Sequence, residues 1–296
     1  MTVDVRTFDA DTKPLLALVV AICAVSTSAI LVRWSNAPSL IKALYRVFFT
    51  IVLIAPFALR RHEGEFRRLS RRDLIGASIA GLALAFHFSA WFESLNWTTV
   101  AASVTLVQSQ PVFVALGASL FLDEDVSARI VGGISIALVG MVVMSAGELT
   151  AGASGAAPLY GNALAVLGAS MAAVYVLSGR ALRQRVPLLP YVTVVYVVCV
   201  LVLFVLVLVR GLPLVSYPLR EWILFLGMAI GPGIFGHTVI NWALAHVESS
   251  VVSVSLLGEP VGSTLLALIL LGEIPGVLTV VGGTVVLGGI VIAANR

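Results

Sequence analysis

The sequence predicts an all-α integral membrane protein, with ten transmembrane helices arranged as two inverted-topology five-helix repeats and both termini cytoplasmic. Three observations carry this prediction. Apolar side chains make up 59% of the 296 residues and charged ones only 11%, with a mean hydropathy of +1.07, whereas soluble proteins are about one quarter charged. Apolar runs of bilayer-spanning length recur ten times, and the motifs of the first half return in the second.

Each span needs about 20 apolar residues. The first half supplies runs at Leu15 to Val32, Leu40 to Leu59, Leu74 to Phe92, Val100 to Leu122 and Ile130 to Ser145. The second supplies Leu159 to Leu182, Tyr191 to Val209, Trp222 to Ala243, Val251 to Leu271 and Val277 to Ala294. The runs are too long for barrel strands and lack period-two alternation, so each is expected to be a helix that satisfies its own backbone. Little chain is left for a separate soluble domain. The first run lacks a convincing small-residue cleavage site and is expected to be retained.

Lys and Arg mark the cytoplasmic loops. With the N-terminus inside, the inner segments collect Arg6, Lys13, Arg60, Arg61, Arg67, Arg68, Arg71, Arg72, Arg129, Arg180, Arg183, Arg185 and Arg296, whereas the outer ones hold Arg33, Arg210 and Arg220. Trp34, Trp97 and Trp222 fall at span ends, where indoles anchor at the interface. The net charge of +3 is too small for a nucleic-acid footprint. Cys23 and Cys199 lie in apolar runs and read as small buried hydrophobes. There is no phosphate-cradling glycine loop, HExxH or nucleophile elbow, so no catalytic residue, metal or cofactor is assigned and an enzyme is disfavoured.

Shifting the chain by about 150 residues brings Gly81 onto Gly231, His87 onto His237, Pro111 onto Pro260 and Glu124 onto Glu273. Leu122-Asp-Glu with Gly132-Gly133 matches Leu271-Gly-Glu with Gly282-Gly283. An odd number of spans per unit turns the second copy upside down, the inverted-repeat plan of secondary transporters.

These two turns, each followed by a Gly-rich helix and preceded by a helix with a central proline, resemble the EamA module of the drug/metabolite transporter superfamily. The segment Ala37-Pro38-Ser39-Leu40 leading to Arg46 resembles that module's second helix. Within the family the chain looks most like the amino-acid exporters of the YddG type. The resemblance covers nearly the whole chain and divides it into a cytoplasmic tail (1–14), a first repeat (15–146), an extracytoplasmic linker (147–158) and a second repeat (159–296). It implies export of small metabolites across a bacterial inner membrane.

Ionisable groups inside spans are costly and point to function. Glu259 sits about 12 Å into the ninth span at 1.5 Å per residue and precedes Pro260, as Gln110 precedes Pro111 in the fourth. Both prolines are candidate hinges, as are Gly231, Pro232 and Gly233 ahead of His237. His87 with Trp91, and His237 with Asn241, are four apart and share helix faces. Lys42 and Arg46 are one turn apart on the second span, where Lys42 can snorkel and Arg46 is the better carboxylate ligand. Ser28, Tyr175 and Gln108 complete the candidate substrate site. The alternative roles are an interhelical hydrogen bond for Glu259, His87 and His237, an ion pair with Glu259 for Arg46, snorkelling for Lys42, and interhelical packing for Ser28, Tyr175 and Gln108. The expected partners are a small-molecule substrate (amino acids or similar metabolites) and membrane lipid, with protons as a candidate coupling ion and no nucleic acid. Monomer and homodimer both remain open. The glycines of the fifth and tenth spans permit either internal packing or a dimer contact.

Overall fold

The computed structural model describes residues 9–94, 96–98, 103, 106–150, 157–271 and 276–294. These residues are helical throughout apart from turns and short connections, with no strand among them. The helices are α1 (Asp9–Trp34), α2 (Ser39–Arg61), α3 (Glu63–Arg68), α4 (Arg71–Ser94), α5 (Gln110–Phe121), α6 (Ala128–Thr150), α7 (Pro158–Arg183) and α8 (Leu188–Val209). After α9 (Leu219–Met228) comes a π-helical segment (Ala229–Thr238), then α10 (Val239–Ala243), α11 (Ser249–Ser255), α12 (Gly258–Leu271) and α13 (Val277–Ala294).

Among the described residues, seven segments are long and apolar enough to cross a membrane: Lys13–Val32, Ser39–Arg61, Arg71–Ser94, Pro158–Arg183, Leu188–Val209, Leu219–Ala243 and Ser249–Leu270. The other three predicted spans correspond to shorter apolar helices, Gln110–Phe121, Ala128–Val143 and Val277–Ala293. At 1.5 Å per residue α5 is about 18 Å long, less than the roughly 30 Å hydrocarbon core. Of the predicted fourth span, residues 100–102, 104 and 105 lie outside the described residues. So do the turn Gly272–Glu273, residues 151–156 of the predicted linker and residues 1–8 of the tail.

Local chemistry sets the helix boundaries. Pro38, Pro187 and Pro218 stand at the N-caps of α2, α8 and α9, where a missing N–H costs nothing. Arg60 and Arg61 end α2, and Arg180 and Arg183 end α7, placing cations at the negative ends of helix dipoles. Gly211, at φ +63°, closes α8 with its own N–H on Leu208 O and that of Leu212 on Val207 O. Asp123 takes φ +51° just after Leu122, the C-cap of α5, at the position that is Gly272 in the repeat.

Interhelical bonds define two ends of the bundle. At the arginine-rich end Asp73 pairs with Arg185 at 2.9 Å, Arg180 with Glu124 at 2.6 Å, and Arg183 donates to Asn241 O at 3.0 Å. At the opposite end the buried Glu221 accepts from Ser35 and, at 2.9 Å, from the Asn36 N–H, while Thr98 donates to Asn162 at 2.8 Å. Trp34, Trp97 and Trp222 all lie at this second end, where Trp222 packs on Tyr45, Tyr217 and Phe225.

The main core lies among α1, α2, α4, α7, α8 and the 219–243 span, and a smaller one joins α6 and α13 to α11. α4 packs chiefly on α7 and α8, α1 on the π-helical segment and α12, α2 on α8, and α6 on α13. The last pair settles what the glycines of the fifth and tenth spans do inside the chain. A Cβ on Gly133 would stand 2.7 Å from Gly289 O, one on Gly140 2.7 Å from Gly282 O, and one on Gly289 2.6 Å from Gly133 O. Only glycine allows these two backbones to approach so closely. Gly132 and Gly288 have nothing within 4 Å of such a Cβ. Cys199 is buried as expected, whereas Cys23 is exposed on α1, because its side of the helix faces away from the bundle.

Candidate functional site

A cavity with about 730 Å³ of empty space, counting its open part, lies inside the bundle between α1, α2, α4, α5, α7, α10 and the broken α11–α12 span. Its wall holds eight of the ten sequence-predicted substrate residues: Ser28, Arg46, His87, Trp91, Gln108, Tyr175, His237 and Glu259. The rest of the wall is mainly apolar, including Val25, Leu84, Phe88, Val176 and Ile240. Among the lining residues Arg46 is the one fixed cation and Glu259 the one carboxylate.

Two predicted members stand elsewhere. Lys42 donates its ammonium to Val32 O at 3.2 Å, at the end of α1, so it caps a helix rather than facing the cavity. Although four residues from Arg46, it sits nearer the membrane surface, where carbonyls at a helix end attract it. Asn241 is fully buried behind the wall and bonds Tyr175 OH and, at 2.7 Å, His237 O. It therefore positions two lining residues instead of lining the cavity.

Arg46 is 4% exposed. Its Nη1 donates to Ser28 Oγ at 3.1 Å and its guanidinium lies 4.9 Å from the Phe88 ring centroid, but no carboxylate among the described residues comes within 4.0 Å. A hydroxyl and an aromatic face only partly replace the water a guanidinium has lost, which leaves donors free for an anionic group. On α4, His87 Nδ1 donates to Gly168 O at 2.9 Å, leaving Nε2 as its free nitrogen, and the ring stacks on Trp91 at 5.8 Å. Trp91 Nε1 and His237 Nδ1 are buried without a hydrogen-bond partner. Buried polar groups are normally paired, so two orphaned ring nitrogens in one cavity wall mark sites for a ligand or water.

Proline breaks two spans beside this cavity. Gln108 and Ser109 form a turn before α5, in which Gln110 and Pro111 are the first two residues. Leu256 and Leu257 form the matching turn before α12, in whose first turn Glu259 and Pro260 lie. Gln110, 8% exposed, lines the cavity at the position equivalent to Glu259. Its place before the repeated proline signals this role in the sequence, whereas Phe88 has no polar atom to flag it. Ser26 anchors the second break: its hydroxyl is 3.1 Å from Glu259 O, and Ser263 Oγ donates to Ser26 O at 3.1 Å.

The predicted hinge at Gly231, Pro232 and Gly233 is not unwound. These residues sit in the wide π-helical turns, where Pro232 supplies no donor and the carbonyls find side-chain partners. Thr238 Oγ1 donates to Gly233 O at 3.2 Å and Thr50 Oγ1 lies 3.2 Å from Ala229 O. A second, smaller pocket adjoins this segment, lined by Arg46, Thr50, Phe88, Tyr196, Gly233 and His237.

Comparison with known proteins agrees with this architecture. The chain is 24% identical over 296 residues to an uncharacterized transporter of Archaeoglobus fulgidus, with 94% of each chain covered. It is 22% identical over 244 residues to an uncharacterized transporter of Clostridium kluyveri, covering 81% of this chain and 78% of that one. A solved crystal structure shares the fold at a TM-score of 0.78 and 24% identity, covering 95% of this chain and 96% of that one. The profile of the EamA-like transporter family matches residues 12–146 and 159–295. A chain of apolar helices around a cavity with a few polar groups in its wall, matched over nearly all its length, is a multi-pass membrane protein that belongs to the EamA-like transporter family.

Proposed function

We propose that this protein is a secondary carrier that exports small amphipathic metabolites, foremost amino acids including aromatic ones, across a bacterial inner membrane by alternating access. The observation that carries the substrate class is that one guanidinium, Arg46, and one carboxylate, Glu259, line the same cavity without forming an ion pair, in a wall that is otherwise uncharged and mainly apolar. A zwitterion with an apolar side chain complements such a wall: its carboxylate meets Arg46, its ammonium meets Glu259, and its side chain lies among Phe88, Trp91 and Ile240. His87, His237, Tyr175, Gln108 and Ser28 supply the remaining polar contacts. A phosphorylated or nucleotide-linked metabolite would ask for more cationic groups than the wall contains. The free Nε2 of His87, with Glu259, gives proton exchange two candidate carriers. On this reading the protein works as an amino-acid exporter of the YddG type.

Alternating access rests on ten membrane helices in two inverted repeats, 15–146 and 159–296, joined by an extracytoplasmic linker, 147–158. Interhelical packing supports this. Exchanging the halves carries the α4–α7 contact onto that of α1 with the 219–243 span, and leaves the α2–α8 and α6–α13 pairs in place. The antiparallel α6 and α13, with Ala293 beside Gly133, bring the end of α13 to the end of the bundle where α6 begins, the arginine-rich end. The positive-inside rule makes that end cytoplasmic.

The test is reconstitution in liposomes loaded with labelled amino acids, following efflux with and without a pH gradient. Efflux that saturates and is inhibited by unlabelled amino acid is expected. Non-saturating flux would mean a channel, and absence of amino-acid flux would move the substrate to another class of metabolite.

A further inference from the structure

We propose that the turn between α10 and α11 is the gate at the arginine-rich end of the cavity, latched by Glu124 and Arg180, with the serine face of α11 as the path behind it. Glu124 belongs to the short acidic turn after α5, yet its side chain is only 8% exposed. It accepts the Ser249 N–H at 3.0 Å, the Ser249 hydroxyl at 2.7 Å and Arg180 Nε at 2.6 Å. Arg180 Nη1 and Gln184 Nε2 each donate to Leu244 O at 3.1 Å. One ion pair thus clamps both sides of the 244–249 turn, with the anion on its free amide and the cation on its free carbonyl, the arrangement that helix-end polarity favours.

Behind the latch α11 carries Ser250 and Ser253, both buried with hydroxyls that have no partner. Spacings of three continue this face to Leu256 and Glu259 in the cavity wall. Hydroxyls without partners are costly in a closed, dry interface. They gain partners once the turn swings away and water or substrate enters. The latch joins the turn after α5 to the α10–α11 turn, so breaking it removes the polar tie between the broken spans of the two halves and leaves only the packing of α5 on α11. The sister turn at Gly272–Glu273 lies outside the described residues.

This inference rests on the alternating-access reading, but its test needs no substrate. In a chain with Cys23 and Cys199 replaced by Ala, Ser253→Cys is exposed to a membrane-impermeant thiol reagent from each side. Glu124→Gln and Arg180→Gln are each expected to speed labelling from the arginine-rich side about tenfold, the size of one lost charge-assisted contact, with no change from the other side. Unchanged labelling in both variants, each eluting as folded protein on gel filtration, overturns the gate. Should these variants not fold, Glu124→Cys with Ser249→Cys decides: oxidised cross-linking is expected to slow hydrogen exchange in residues 244–257 about tenfold, reversibly on reduction. Equal exchange in the two redox states overturns the proposal. A labelling effect without amino-acid flux would leave the gate standing and remove the proposed substrate.

Discussion

Arg46 is the residue on which the chemistry turns. Removing a guanidinium from water costs several kcal/mol, and Ser28 with the Phe88 face returns only part of that. Arg46→Ala is expected to lower amino-acid flux by tenfold or more and to erase the preference for amino acids over the corresponding decarboxylated amines, read by competition in liposomes. Equal competition by amines against the unmodified protein would make Arg46 structural. Trp91 offers a sharper separation of binding from stability, since its Nε1 has no partner within the fold. Trp91→Phe keeps an aromatic ring against His87 and breaks no internal hydrogen bond. Thermal stability in detergent should stay within about 0.5 kcal/mol, while the half-saturating substrate concentration should rise about threefold to tenfold, as expected from one lost hydrogen bond between Nε1 and bound substrate. Both residues stand out in the sequence because a polar or ionisable group within an apolar run has to be explained. Phe88, which joins Arg46 to His237, is invisible there because its chemistry matches its surroundings.

At the scale of the helix, close backbone approach and broken spans carry the design. The α6–α13 contact depends on glycines from both helices, and the two faces of α13 give an internal control. Gly289→Leu is expected to destabilise the protein by about 1–3 kcal/mol through overpacking, whereas Gly288→Leu, with open space at its Cβ position, should be nearly neutral. Thermal unfolding of the purified variants measures both, and equal effects would contradict the packing. The span breaks at Pro111 and Pro260 are legible in sequence because a missing N–H and a clashing ring act locally. The π-helical form of 229–238 is not, because Thr50, Thr238 and Tyr196 from three elements satisfy or support its backbone. Likewise Lys42 and Arg46 share a helix face, yet only neighbouring helices decide that one meets the carbonyl of Val32 and the other the cavity.

For the whole molecule, charge asymmetry sets the expected orientation. A fluorescent reporter that matures only in the cytoplasm, fused after Arg296, should be bright, whereas a periplasm-selective reporter at the same place should stay silent. The opposite pattern would invert the topology. Apolar run length, arginine placement and the repeated Gln110-Pro111 and Glu259-Pro260 motifs determine from sequence alone that the chain is a helical membrane protein with two related halves, since lipid solvation and proline geometry act on each segment independently. Only the tertiary structure decides which polar groups meet. The cavity that joins Arg46 to Glu259, the close α6–α13 pair and the clamp of Glu124 on Ser249 each join residues more than a hundred positions apart, and such contacts depend on how helices pack rather than on what each helix contains.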